Sequence, residues 1–290
     1  MTATIILQLL EEGLVALDDP VDEYVAGVPD GDAITIADLL DMRSGLFNYV
    51  DDLEYRFTLG SDPTRVRTPE ELLDVAFAHP SYQVGSRFHY SNTNYILLGL
   101  IMETVTGKSA TALFDERVFE PLGMDDSSLP DADDLAVPGP YAHGYEYDSD
   151  LSREAQTEAA EAGTLLPEDR TEFSPSDWTA GGMISTADDL VIWADALVDG
   201  LLLNEYTQLV RLASIQLDPS NPELGYGYGI SKFGAYLGHG GIVPGYSSYI
   251  GCDRHTATTV VVLAGLSFAP DGAGVAAELA IAVTGVIQKY

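Results

Sequence analysis

His89-Tyr90-Ser91-Asn92-Thr93-Asn94-Tyr95-Ile96-Leu97-Leu98-Gly99 puts a phenol, a hydroxyl and an amide on a polar turn that runs straight into an apolar segment. Apolar residues at Ile96, Leu97, Leu100, Ile101 and Val105 recur at helical spacing, which predicts a mostly buried helix. Gly107 ends it, and Ser91 or Asn92 is expected to cap its first turn. A Tyr and an Asn two residues apart at the start of a buried helix can be held rigidly and aimed into a cleft, as a catalytic site requires. Packing by Tyr90 and capping by Asn92 would account for the same residues, so the surrounding chain has to decide between the two.

Upstream, Thr2-Ala3-Thr4-Ile5-Ile6-Leu7-Gln8-Leu9-Leu10-Glu11-Glu12-Gly13 reads as a helix with a wide apolar face that ends near Gly13. Nothing precedes Met1 to cap it, and the expectation is that this helix originally began earlier. Asp19 with Pro20 predicts a short helical turn, and Thr35 starts another that ends near Ser44-Gly45. Thr68-Pro69-Glu70-Glu71 is a capping box with Pro at the first helical position. Ser109 caps a helix stopped by Pro121, and Ser185, with Asp188 at the third position, caps one that runs to about Val198. Residues 125–176 read as a long acidic loop with one strand at His143–Tyr147, and a further helix follows over 203–216.

After residue 216 the period changes. Tyr226–Phe233, Tyr236–His239, Tyr246–Cys252 and Thr258–Ala264 read as successive antiparallel strands, closed by an Ala-rich helix over 272–288. Helices, then a β-meander, then a helix is an α+β layout, not an alternating βαβ sheet. One domain over 1–290 is expected, with 1–215 mostly helical and 216–290 the sheet and closing helix.

The charge excludes several function classes. A net charge of −33 spread over the whole length repels nucleic acid and anionic membranes. It also destabilises the compact state at low ionic strength, which predicts a protein from a very salty setting. No run of about 18 apolar residues is present to span a membrane, and the first residues carry no secretion signal. Cys252 is the only cysteine, so no internal disulfide forms. His79, His89, His143, His239 and His255 lack metal-ligand spacing, and neither a metal nor a cofactor is expected. Ser185 has a capping role and no neighbouring base, and Ser247 lacks the glycine pattern of a nucleophile elbow.

Taken in order, Leu17-Asp18-Asp19-Pro20, Ser44-Gly45-Leu46, Tyr90-Ser91-Asn92, Phe119-Glu120-Pro121-Leu122-Gly123-Met124, Gly181-Gly182 with Ser185-Thr186-Ala187-Asp188-Asp189-Leu190, and His239-Gly240-Gly241 with Pro244-Gly245-Tyr246 resemble the serine β-lactamase-like hydrolases. These include class C β-lactamases, D-alanyl-D-alanine carboxypeptidases and related esterases. The resemblance implies a β-lactamase/transpeptidase-like fold and hydrolysis of an amide or ester through an acyl-enzyme. It implies Tyr90 as the relay phenol, with Asn92, His239, Gly240 and Gly241 as substrate contacts. The expected partner is a small-molecule or D-peptide substrate.

One departure stands out. The family's Ser-x-x-Lys aligns upstream of this sequence, its Lys two positions before Met1 and its Ser five before. Residues three before the lysines are Val105, Gly229 and Val286, so the motif does not recur elsewhere. The family's leading helix and first two strands are expected to be missing as well, which leaves an unpaired sheet edge. As given, the chain is expected not to acylate, and a non-catalytic ligand- or peptide-binding descendant is the alternative. Met42-Arg43 stands where the family has His-Thr, which reads as local packing.

Overall fold

A computed structural model of the chain describes residues 1–85, 87–147 and 153–287. In chain order the helices are α1 (Thr2–Glu11), α2 (Ile36–Leu40), α3 (Leu53–Ser61), α4 (Pro69–Phe77), α5 (Asn92–Thr106), α6 (Ala110–Phe114), α7 (Glu120–Leu122), α8 (Arg153–Glu161), α9 (Trp178–Gly181), α10 (Ala187–Asp199), α11 (Glu205–Ala213) and α12 (Val275–Ile287). The strands are β1 (Tyr145–Glu146), β2 (Glu168–Asp169), β3 (Gln216–Asp218), β4 (Asn221–Gly227), β5 (Ile230–Phe233), β6 (Tyr236–Val243), β7 (Tyr246–Asp253) and β8 (Thr258–Ala264).

Strands β3 to β8 form one antiparallel meander in sequence order, as the change of period predicts. Alternation along β7 and β8 assigns their two faces. Cys252 packs on Ala194 and Val198 of α10, and its cross-strand neighbour Thr259 donates to Asp195 of the same helix. Ser247 faces the other way and accepts from the Ala276 N–H of α12. The sheet is therefore covered by α10 on one face and α12 on the other. The helical region packs around α5 in a single core with α1, α2 and α4. Gly99 makes that close approach possible, since a Cβ there would come within 2.2 Å of Thr179 Oγ1 at α9.

Several local expectations give way to neighbours distant in sequence. Tyr226–Phe233 is not one strand: it breaks at Tyr228-Gly229, where Gly229 has φ +65, into the β4–β5 hairpin. Asp19 does not cap the turn at Val21–Glu23; its carboxylate accepts from the Ala16 N–H and the Tyr24 hydroxyl. Thr186 caps α10, and Ser185 bonds Ser127 instead, so Asp189 takes the third position. The helix after Thr35 stops at Leu40, because Met42 turns left-handed at φ +64. Pro121 does not stop the helix after Ser109, which continues as a π turn into α7 and ends at Gly123. The segment 125–176 holds α8 and the β1–β2 hairpin; residues 148–152 of that segment and residue 288 of the closing helix lie outside the described residues. The capping box at Thr68 forms as read, and Thr35 makes a second one with Asp38. Among the described residues no single helix is long and apolar enough to cross a membrane.

Candidate active site

Tyr90 and Asn92 are placed by a clamp the sequence does not announce. Ser91 stands at the N-cap of α5 but makes no capping bond; its hydroxyl donates to Phe47 O at 3.3 Å. Asn48 Oδ1 accepts from the Asn92 N–H at 2.9 Å, Thr93 Oγ1 donates to Phe47 O at 2.7 Å, and Ser44 Oγ donates to Asn94 Oδ1 at 2.6 Å. The segment 44–48 thus satisfies the start of α5, and the Asn92 amide is spared capping duty, against the expectation that Ser91 or Asn92 supplies the cap.

His239 enters from β6, and its ring centroid lies 6.3 Å from that of Tyr90. Its Nδ1 faces Gly240 O, a pure acceptor, so Nδ1 carries the proton. Burial holds the imidazole below its ordinary pKa and hence neutral. Its Nε2 therefore accepts, and Tyr226 Oη, 3.2 Å away, is the donor. Tyr226 also touches the Tyr95 hydroxyl, so one phenol ties α5 to β6. Sequence reasoning passes over Tyr226 and Tyr95, which look like ordinary strand and helix aromatics.

Gly240 and Gly241 sit exposed on β6. Strand β5 pairs with β6 only as far as Ser231↔Gly238, so from His239 to Val243 the strand has β7 on one side and a free edge on the other. Tyr90 lies beside the start of that edge, at His239.

Tyr90 is 39% exposed, and its pKa is pushed up to about 12 by burial and then by the Asp177 carboxylate. Asp177 accepts from Tyr49 Oη at 2.7 Å and is held above the ordinary carboxylate range by burial. At the first turn of α1, burial and the Arg211 cation lower the Met1 amino group to about 5, and that amino group in turn helps hold His239 down. The start of α1 packs against the β4–β5 turn, where a Cβ on Gly229 would meet Ala3 Cβ at 2.3 Å and Tyr95 Oη at 2.9 Å.

His89 packs against Tyr82, ring centroids 4.4 Å apart. Ser247 Oγ is buried, donating to Leu266 O. Among the described residues no serine hydroxyl meets a lysine or histidine base, and no group of His, Cys, Asp or Glu could hold a metal ion.

A family model for β-lactamase matches residues 1–284. The D-stereospecific amidohydrolase of Streptomyces sp. superposes with a TM-score of 0.83 at 32% identity, over 94% of this chain and 80% of that one. The D-amino acid amidase of Ochrobactrum anthropi SV3, solved with D-phenylalanine, gives 0.74 at 25% identity, over 91% and 74%. Penicillin-binding protein 4* of Bacillus subtilis is 25% identical over 85% of this chain, which spans 54% of that protein's length. With its meander between covering helices and its match along nearly the whole sequence, the chain belongs to the β-lactamase family.

Proposed function

We propose that the chain forms most of a serine hydrolase that cleaves an amide or ester through an acyl-enzyme, with Tyr90 as relay base and Asn92, His239, Gly240 and Gly241 as substrate contacts. The amidohydrolase and amidase resemblances favour a small D-amino acid derivative or D-peptide over a β-lactam. The observation that carries this reading is the approach of Tyr90 to His239, ring centroids 6.3 Å apart, beside the free edge of β6.

The nucleophile and its lysine lie, on this proposal, on the turns of α1 that precede Met1. Ser and Lys three apart share one helical face, and the helix N-terminus favours the developing anion. The Tyr90 phenol supports this. At a pKa of about 12 it is a poor base at neutral pH, and a lysine ammonium within hydrogen-bond reach would pull it down. With that cation in place, Tyr90 takes the serine proton as the serine oxygen attacks the carbonyl, then returns it to the leaving amine. A backbone N–H on the free edge of β6 stabilises the oxyanion, and water releases the acid.

The alternative, a ligand-binding pseudoenzyme, is supported by the absence of any serine–base pair among the described residues. The coding sequence upstream of Met1 separates the two. An in-frame Ser-x-x-Lys, and an intact-mass increase of the extended protein with a fluorophosphonate that Tyr90→Phe suppresses about 100-fold or more, support the enzyme. An in-frame stop codon, or unmodified extended protein, supports the binder. We further propose that the acidic surface suits high salt.

A further inference from the structure

Tyr141, His143 and Tyr145 alternate along the stretch that leads into β1, and all three rings meet solvent. Tyr141 and Tyr145 are 48% and 38% exposed, and the His143 side chain 55%. The rings form a row. Centroids lie 5.7 Å apart from Tyr141 to His143 and 6.5 Å apart from His143 to Tyr145, with neighbouring planes tilted by 38° and 30°. Gly144 between them turns inward: it is buried, and a Cβ there would lie 2.4 Å from the Tyr246 ring.

The backbone beneath the row is held on both sides. The Arg170 N–H donates to Gly144 O at 2.8 Å, and the Tyr145 N–H donates to Gly245 O and Gly265 O, both at 3.0 Å. The Gly144 N–H donates to Thr171 Oγ1 at 3.0 Å, and Tyr246 Oη donates to Ala142 O at 2.9 Å. His143 Nδ1 lies 3.1 Å from both Asp169 Oδ2 and Thr171 Oγ1, which fixes the middle ring. A partner stacking on rings already fixed loses little to their ordering. Gly245 belongs to the turn just past Val243, so the row stands at the opposite end of the free edge of β6 from His239.

An exposed apolar patch of this size is a binding surface, and its chemistry narrows the partner. Single-stranded nucleic acid also stacks on files of rings, but it needs cations along its phosphates. Here the neighbouring side chains include the Asp169 carboxylate and the Glu168 carboxylate paired with Arg170, on a chain of net charge −33. A proline-rich peptide needs a groove between rings, whereas these rings follow one another in a line. A neutral sugar chain meets both conditions. Each sugar has a C–H face that packs on an aromatic ring and hydroxyls at its edge that need partners. Asp169, directly opposite Tyr145 in the β1–β2 register and hence on the same face, supplies an acceptor for them.

We propose that the Tyr141–His143–Tyr145 row is a stacking surface for a neutral polysaccharide, separate from the candidate active site. It does not depend on the hydrolase reading.

The test is calorimetric titration of the 290-residue chain with cellohexaose, laminarihexaose and maltohexaose in about 1 M KCl. At least one of the three should bind. Tyr141→Ala and Tyr145→Ala should each weaken that binding about tenfold, the cost of one lost stacking contact. Tyr206→Ala, which removes a phenol 76% exposed on α11, should change it by less than about twofold. Failure of all three sugars to bind folded protein overturns the inference. So does binding that survives the double variant Tyr141→Ala/Tyr145→Ala, or tighter binding of hexagalacturonate or of a decaproline peptide. Should Tyr145→Ala not fold, position 141 decides: Tyr141→Phe keeps the ring and should retain affinity within about threefold, whereas Tyr141→Ala should not. Equal losses in those two variants overturn the stacking role.

Discussion

Helices α5 and α12 are both strongly apolar and of similar length, 15 and 13 residues, yet they meet opposite fates. In α5, Ile96, Leu97, Leu98, Ile101 and Met102 are fully buried, enclosed by α1, α2, α4 and α9. In α12, Ala276 and Ala280 are buried against the sheet, whereas Leu279, Ile281 and Val283 are 48%, 44% and 43% exposed. Among the described residues, strand β8 beside it pairs with β7 alone. Apolarity fixes a preference for burial, and surrounding elements decide whether it is met. An element docked on this face would bury those side chains.

The largest expected effect tests the contrast directly. Leu97→Ala should cost about 2–5 kcal/mol in urea unfolding, because the enclosed cavity cannot collapse. Ile281→Ala should stay within about 0.5 kcal/mol. Comparable losses at both positions would erase the distinction between the helices. The contrast sharpens with Ile281→Lys. In the 290-residue chain the lysine reaches water and stability should hardly change. In a protein extended upstream in frame, the same substitution should cost about 2 kcal/mol or more if the added segment covers α12. Equal, small effects in both proteins would remove that segment from this face.

The same contrast explains what could be read in advance. Helix α5 was legible because its period, its Gly107 stop and its polar start all agree, and Gly107 does adopt φ +68. The pairing of Tyr90 with His239 was legible only through resemblance, since nothing local links residues 149 apart in sequence. The clamp by Asn48, Ser44 and Phe47, the Tyr226 bridge and the Asp177 carboxylate were not legible. The clamp and the Asp177 contacts join side chains distant in sequence within the helical region, and the Tyr226 bridge forms only once that region and the sheet have docked. Ser185 shows the same limit: local rules make it a cap, and Ser127 claims its hydroxyl.

Surface charge should matter next. If screening offsets the repulsion of a net charge of −33, the melting temperature rises with KCl through the molar range. A flat or falling curve removes the high-salt reading. Asp41 adds a localised pH effect beneath α5, where its charge raises the Tyr95 phenol. Burial pushes the Asp41 carboxyl up to about 7, only partly opposed by Arg43 3.4 Å away. The folded state then holds a proton that the unfolded chain has released, so this contribution is full below about pH 4 and fades as pH rises toward 7. Wild type minus Asp41→Asn, compared by urea unfolding at several pH values, should show that fall; parallel curves would argue against it.

The smallest effect concerns the bridge that ties α5 to the sheet. Tyr226 has one hydroxyl proton to place between Tyr95 Oη and His239 Nε2. A donor to Nε2 favours the neutral imidazole, so Tyr226→Phe should let the His239 pKa rise, with burial still holding it below its ordinary value. Stability should fall by about 0.5–1.5 kcal/mol, the net worth of one hydrogen bond. Titration of the His239 ring by NMR reads the first quantity and urea unfolding the second. A downward move of the pKa would mean that Nε2 donates rather than accepts. The Nδ1 bond to Gly240 would then belong to an imidazolium, and the site would present a cation where the geometry now places a neutral ring.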